Sequence, residues 1–109
     1  MTNNDHTPLV SLTVAGSAHG DMKGHLGELV DGPVDLRRDP NNPADPNAIK
    51  VVVTTKEGPK RLGFVPAIFC PILLNLRAAG YEISAAVSTR HLPHNIGLHL
   101  SIEKKVTNV

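Results

Sequence analysis

Apolar residues fall at every second position in four stretches of the chain. These are Val10, Leu12 and Val14; Ile49, Val51 and Val53; Ile83, Ala85 and Val87; and Ile96, Leu98, Leu100 and Ile102. A strand turns successive side chains to opposite faces, so each stretch reads as a half-buried strand. Ala48–Thr55 is the richest in β-branched residues. Two hairpins are expected. In the first, Leu26, Glu28 and Val30 open a strand that ends at the turn dipeptide Asp31-Gly32, and Val34–Asp39 returns against it. In the second, Lys56-Glu57-Gly58-Pro59 turns the chain and Arg61–Val65 returns against Ala48–Thr55. The period changes after Pro66. A short turn over Pro66–Phe69 precedes a helix from Pro71 to Ala79, because proline suits the first helical position and Gly80 suits the stop. Ile68, Ile72, Leu73 and Leu76 lie on one side of that region as a core-facing stripe. About six short strands and one helix predict a mostly β fold, a small barrel with a flanking helix. Its expected core is Val51, Val53, Leu62, Ile72, Leu76, Val87, Leu98 and Leu100.

Composition narrows this picture. A chain of 109 residues with 40% hydrophobic positions suffices for one domain, expected over residues 9–105, with a disordered tail at 1–8 and a short one at 106–109. Only Phe64, Phe69 and Tyr81 are aromatic, so a base-stacking platform would be thin. Eleven basic and ten acidic residues leave a formal charge of +1, without the basic excess usual in nucleic-acid binders. The single cysteine, Cys70, excludes an internal disulfide and reads as a small buried hydrophobe. The start MTNNDHTP lacks the order of a secretory signal, and no apolar run approaches a membrane span. The expectation is a cytoplasmic protein with no membrane partner.

The candidate chemistry sits between two strands, in VDLRRDPNNPADPNAIKVVV, Val34 to Val53. Pro40, Pro43 and Pro46 exclude helix and ladder alike, and the Asn and Asp side chains between them fold back onto backbone N–H groups. A stiff polar loop held by core strands is a good place to build a site. The same stretch resembles the signature of the HIRAN domain family. Arg38, Pro40, Asn42, Pro43, Asp45, Asn47, Ala48 and Ile49 fill its core motif, and Gly63 and Pro66 fill a following step into a helix. The likeness extends more weakly from about Val10 to Ile102.

That resemblance implies an OB-like, partly open β-barrel that binds the 3′ end of single-stranded DNA. No cofactor and no catalytic residue are expected, because nothing in these residues supports the ATP hydrolysis or zinc binding of the larger ATPases that carry the domain. Asn42 and Asp45 match the family positions that line the pocket for the last nucleotide. A carboxylate accepts a hydrogen bond from a 3′-hydroxyl and repels a 3′-phosphate, which gives an aspartate a way to read strand polarity. Arg38, Lys50, Arg61, Phe64 and His94 complete the expected interface. The chain departs from the pattern in three places: Ala44 stands where a stacking tyrosine is common, the tyrosines near the first strand are missing, and Ala67 replaces a basic residue after the helix step. These departures and the near-neutral charge support a second reading, a protein-interaction or regulatory module that keeps the fold without DNA binding, with a helicase or nuclease as the kind of partner.

Other chemistry finds less support. His91 and His94 form the one close histidine pair, short of the three or four ligands of a zinc site, so no metal is expected. No phosphate-cradling Gly-Lys-Ser/Thr run exists. Asp39 reads as a turn cap and His19 as an exposed turn histidine.

Overall fold

The computed structural model describes residues 9–92 and 94–104. The expected tails at 1–8 and 106–109 lie outside these residues, as does Pro93 of the histidine loop. Six strands and one helix follow in order: β1 (Leu9–Thr13), β2 (Gly32–Arg38), β3 (Ile49–Thr55), β4 (Gly58–Phe64), α1 (Cys70–Ala78), β5 (Tyr81–Ser88) and β6 (Gly97–Lys104). They form one antiparallel sheet in the order β1-β6-β5-β2-β3-β4. β2 is its corner. The first half, Gly32–Val34, pairs with Val87–Ala85 of β5, and the second half, Asp35–Arg38, pairs with Val52–Ile49 of β3.

No ladder joins the outer strands. They meet at a single bridge beyond β1, where Ala15 and Phe64 exchange two backbone bonds of 2.8 Å. The result is the partly open, OB-like barrel. Gly63 permits this approach: a Cβ there would lie 2.5 Å from the Ala15 carbonyl and 2.6 Å from Val14 Cγ1. Next to it the β3–β4 register shifts at Val51/Val52, so Leu62 and Gly63 share one place in the ladder. The bulge turns both residues inward, and Leu62 is fully buried.

The alternating positions supply the core. Ile49, Val51, Val53, Leu62, Val87, Leu98 and Leu100 are buried together, with Val14, Val65 and Ile96. Two expectations fail. Leu26–Val30 is not a strand: Leu26–Glu28 forms a 3-10 turn, Leu29 plugs into the core, and β2 spends its first half on β5 rather than in a hairpin. The preceding Gly24, with φ +81°, turns the chain out of extended geometry. The helix stripe is also rotated. Cys70 and Leu73 are buried and Leu74 and Leu76 pack half-buried against the core, whereas Ile72 is 57% and Ile68 81% exposed. Cys70 joins the helix as its first residue and faces inward. At about 100° per residue, that points Ile72 to solvent. Arg77 ties the helix to the sheet by donating to the Leu36 carbonyl at 3.1 Å. No helix among the described residues is long and apolar enough to cross a membrane.

Candidate nucleic-acid interface

The loop 39–48 leaves β2 and enters β3, and it is tied at its base by Asp39 N–H donating to the Ala48 carbonyl at 2.9 Å. Inside, Asn42 is the organising side chain. Its Oδ1 accepts from the N–H groups of Ala44 (2.9 Å) and Asp45 (3.1 Å), and its Nδ2 donates to the Asp39 carboxylate at 3.2 Å. Asp45 Oδ1 accepts from Asn47 N–H at 2.9 Å, and the Asp45 carbonyl accepts from Ala48 N–H at 3.1 Å. The prolines at 40, 43 and 46 have no N–H to satisfy, so the loop bonds to itself with few donors left over. Asp39 opens the turn with its carbonyl, which accepts from Asn42 N–H at 3.0 Å, while its carboxylate accepts from the Asn42 amide and caps no backbone N–H among the described residues. Asn42 is more than a pocket lining, because both acceptor sites of its carbonyl are spent on the loop. Asp45 is half-buried, and one of its two oxygens is engaged in the loop. The other is an acceptor held on a rigid mount.

Beside the loop, the register lines up three side chains on the outer face. Arg37 of β2 pairs with Lys50 of β3, which pairs with Phe64 of β4. Directly opposed residues stand about 4.5–5.5 Å apart at Cβ, so the three form one continuous strip. Arg37 also bonds Asp35 at 3.1 Å across an exposed surface. Arg61 continues the strip, its guanidinium carbon 5.1 Å from the centre of the Phe64 ring. Its Nη2 donates to the His19 carbonyl at 2.7 Å, and its backbone exchanges two 2.8 Å bonds with Asp21. Arg61 Nε is buried with no partner among the described residues. The arginine thus fastens the 16–21 turn against Phe64 and brings exposed His19 alongside.

The expected residues divide accordingly. Lys50, Phe64 and Arg61 form the strip, with Lys50 on the strand that the loop of Asn42 and Asp45 enters. Arg38 does not join it: it opposes Ile49 and lies on the other face of β2 from Lys50. Arg37 stands beside Lys50 instead, as counting in twos back from Lys50 through the ladder gives. His94 does not join either. It lies exposed in the β5–β6 loop, which Thr89 anchors to Asp31 at the start of β2, about 20 Å along the strand from the 39–48 loop. Among the described residues no three His, Cys, Asp or Glu gather as a metal would require. Burial pushes the Cys70 thiol up from its ordinary pKa, with the Asp45 charge adding to the effect, so it is no ready nucleophile.

A partly open antiparallel barrel with one flanking helix is an OB-like architecture. The HIRAN domain family model matches residues 9–107, and the chain belongs to that family. HIRAN domains are generally nucleic-acid-binding modules that recognise 3′ ends of single-stranded DNA. The crystal structure of the HIRAN domain of human HLTF superposes with a TM-score of 0.65 at 24% identity, over 89% of this chain and 77% of that one. At that identity the likeness speaks for the fold. No curated protein sequence matches the chain.

Proposed function

We propose that the domain binds the end of a single DNA strand, with the free oxygen of Asp45 accepting the terminal 3′-hydroxyl. The observation that carries this reading is the loop itself: Asn42 and three prolines hold Asp45 still before any ligand arrives, so little ordering entropy is lost on binding. Lys50 and Arg37 hold the adjacent phosphates, and Phe64 offers a ring face to a base. Arg61 acts through Phe64 and the 16–21 turn and contributes charge at the strip's end. Asn42 contributes by fixing Asp45, with one N–H of its amide left for the ligand. Arg38 and His94 are peripheral in this arrangement. A base–aromatic stack is worth about 1–3 kcal/mol, and Ala44 provides none, so affinity is micromolar or weaker and falls steeply with salt.

Fluorescence anisotropy at low salt, with single strands ending in a 3′-hydroxyl or a 3′-phosphate, tests the reading. The hydroxyl end should bind more tightly. Asp45→Ala should weaken it and narrow the preference. Lys50→Ala should weaken both ends alike and flatten the salt slope by about one. Equal binding of both ends defeats the role given to Asp45. No binding of either end favours the interaction-module reading, which the absent tyrosines and the charge of +1 support.

A further inference from the structure

β2 and β3 are hydrogen-bonded along only half their length. Their ladder runs from Arg38 opposite Ile49 to Asp35 opposite Val52 and stops, although β2 begins at Gly32 and β3 continues to Thr55. Bonded pairs alternate along an antiparallel ladder. Asp39 donates to Ala48, so the later bonded pairs are Arg37 with Lys50 and Asp35 with Val52, and the next would be Pro33 with Thr54. Pro33 has no N–H to give. β2 turns here to pair with β5 instead.

Thr54 is therefore left open. On its other side it opposes Pro59 of β4, again a residue without an N–H, and the tight turn pairs Thr55 with Gly58. The alternation then directs both the N–H and the C=O of Thr54 away from β4, into the gap. That gap is a groove of about 840 Å3. Met22, Val34, Val53 and Val87 line its apolar part, and Val30 on the rim is 76% exposed. Four carboxylates, on Asp21, Glu28, Asp31 and Glu57, surround it against Lys56, Lys60 and His25; Glu28 lies 3.0 Å from His25 and Glu57 3.8 Å from Lys60, both pairs on the exposed rim.

We propose that this groove takes an extended, basic segment of a partner protein by strand addition at Thr54. The segment's main chain bonds Thr54 N–H and C=O on one wall and the Pro33 carbonyl on the other. Its alternate side chains, apolar and small enough to enter, rest on the valine floor, and the lysines or arginines between them meet the carboxylates. The carboxylate majority disfavours a phosphate backbone, which separates this groove from the Arg37–Lys50–Phe64 strip. The groove lies at the opposite end of β2 from the 39–48 loop, so both sites can be filled together. The proposal stands independently of the nucleic-acid reading.

A displayed library of random octapeptides selected on the wild-type protein tests it, with counter-selection on Thr54→Pro. Proline at 54 removes the N–H that faces the groove and leaves the bonds to β4 in place, as edge positions allow. Selected peptides should alternate apolar and basic residues, bind at least about tenfold more weakly to Thr54→Pro, and slow Thr54 amide exchange on binding. Glu57→Gln together with Glu28→Gln should weaken them about twofold to fivefold each. In the free protein the Thr54 amide should exchange faster than those of Val53 and Thr55, a measurement that needs no variant to fold. Protection of Thr54 in the free protein overturns the proposal. So does failure to enrich any sequence over the Thr54→Pro control, enrichment of acidic sequences, or displacement of the peptides by single-stranded DNA.

Discussion

The two ends of the β2–β3 pair make opposite use of proline. At one end Pro40, Pro43 and Pro46 sit in a loop where most backbone donors are taken up within the loop and at its base, and the prolines have no N–H to place. Three prolines there make the chain stiffer. At the other end one proline, Pro33, occupies the place where the ladder needs a donor, and the strands part around a groove. The same residue type closes one end and opens the other. What decides is whether the position owed a hydrogen bond. The closed end holds a carboxylate still. The open end leaves main-chain groups of Thr54 facing a groove.

The largest test addresses what both ends share. Leu62→Ala removes a fully buried side chain from the β4 bulge and should cost about 2–5 kcal/mol, as read by urea denaturation. It should loosen both ends alike. Ile72→Ala, on the exposed helix face, should stay within about 0.5 kcal/mol. A large loss there would return Ile72 to the core.

Asn42→Ala should affect one end only. It removes three hydrogen bonds inside the loop, each worth roughly 0.5–1.5 kcal/mol net, and their partial exposure puts the total near 2 kcal/mol. Amide exchange at Ala44 and Asp45 should accelerate, while Thr54 stays as it was. Pro33→Val tests the other end with a smaller gain. It restores the donor facing Thr54, worth about 1 kcal/mol per bond, and gives back about 0.4–1 kcal/mol of the restraint proline places on the unfolded chain. Net stabilisation of a few tenths of a kcal/mol or more, with Thr54 newly protected, would show that one missing N–H holds the strands apart. If Thr54 stays unprotected, the bend of β2 toward β5 is the larger cause.

The contrast between the ends was only partly legible in the sequence. The loop end was readable because its signals are local: prolines at fixed spacing, Asx side chains and an alternating strand that follows. Four strands were readable for the same reason. The groove end was not, because its defining pair, Pro33 and Thr54, is twenty-one positions apart and depends on a register that no local pattern states. The hairpin expected from Leu26–Val30 failed for a related reason. Strand propensity there is weak, and β2 found its partner in β5, far along the chain. The site residues follow the same rule. Asn42 and Asp45 came from a contiguous motif, and the structure keeps them together. Arg37, and not Arg38, shares a face with Lys50, because strand parity at the loop entry decides which side chain joins the strip. His94 was placed by chemistry alone, and the fold sends its loop toward Asp31.

Asp31 offers the smallest and most specific test of the open end. Its Oδ1 accepts both the N–H and the hydroxyl of Thr89 at 2.7 Å, fastening the β5–β6 loop to the rim of the groove. The hydroxyl bond, then the backbone bond, hold its carboxyl below the ordinary carboxylate range, outweighing a small opposing effect of burial, and His99 on β6 adds a weaker pull. A carboxylate whose pKa is depressed by folding stabilises the folded state above the unfolded value of about 4. That contribution is lost as pH falls through the lower folded value. Asp31→Asn keeps the shape and removes the charge. The melting temperature of the wild type should exceed that of Asp31→Asn by a small margin from neutral pH down to about pH 4, and the margin should shrink below that. A margin that persists unchanged to pH 2 would mean that the Thr89 bonds work equally well with a neutral acceptor, and the rim would owe its order to hydrogen bonding without charge. Asn42→Ala should leave this pH profile untouched, because the loop it organises lies at the other end of β2.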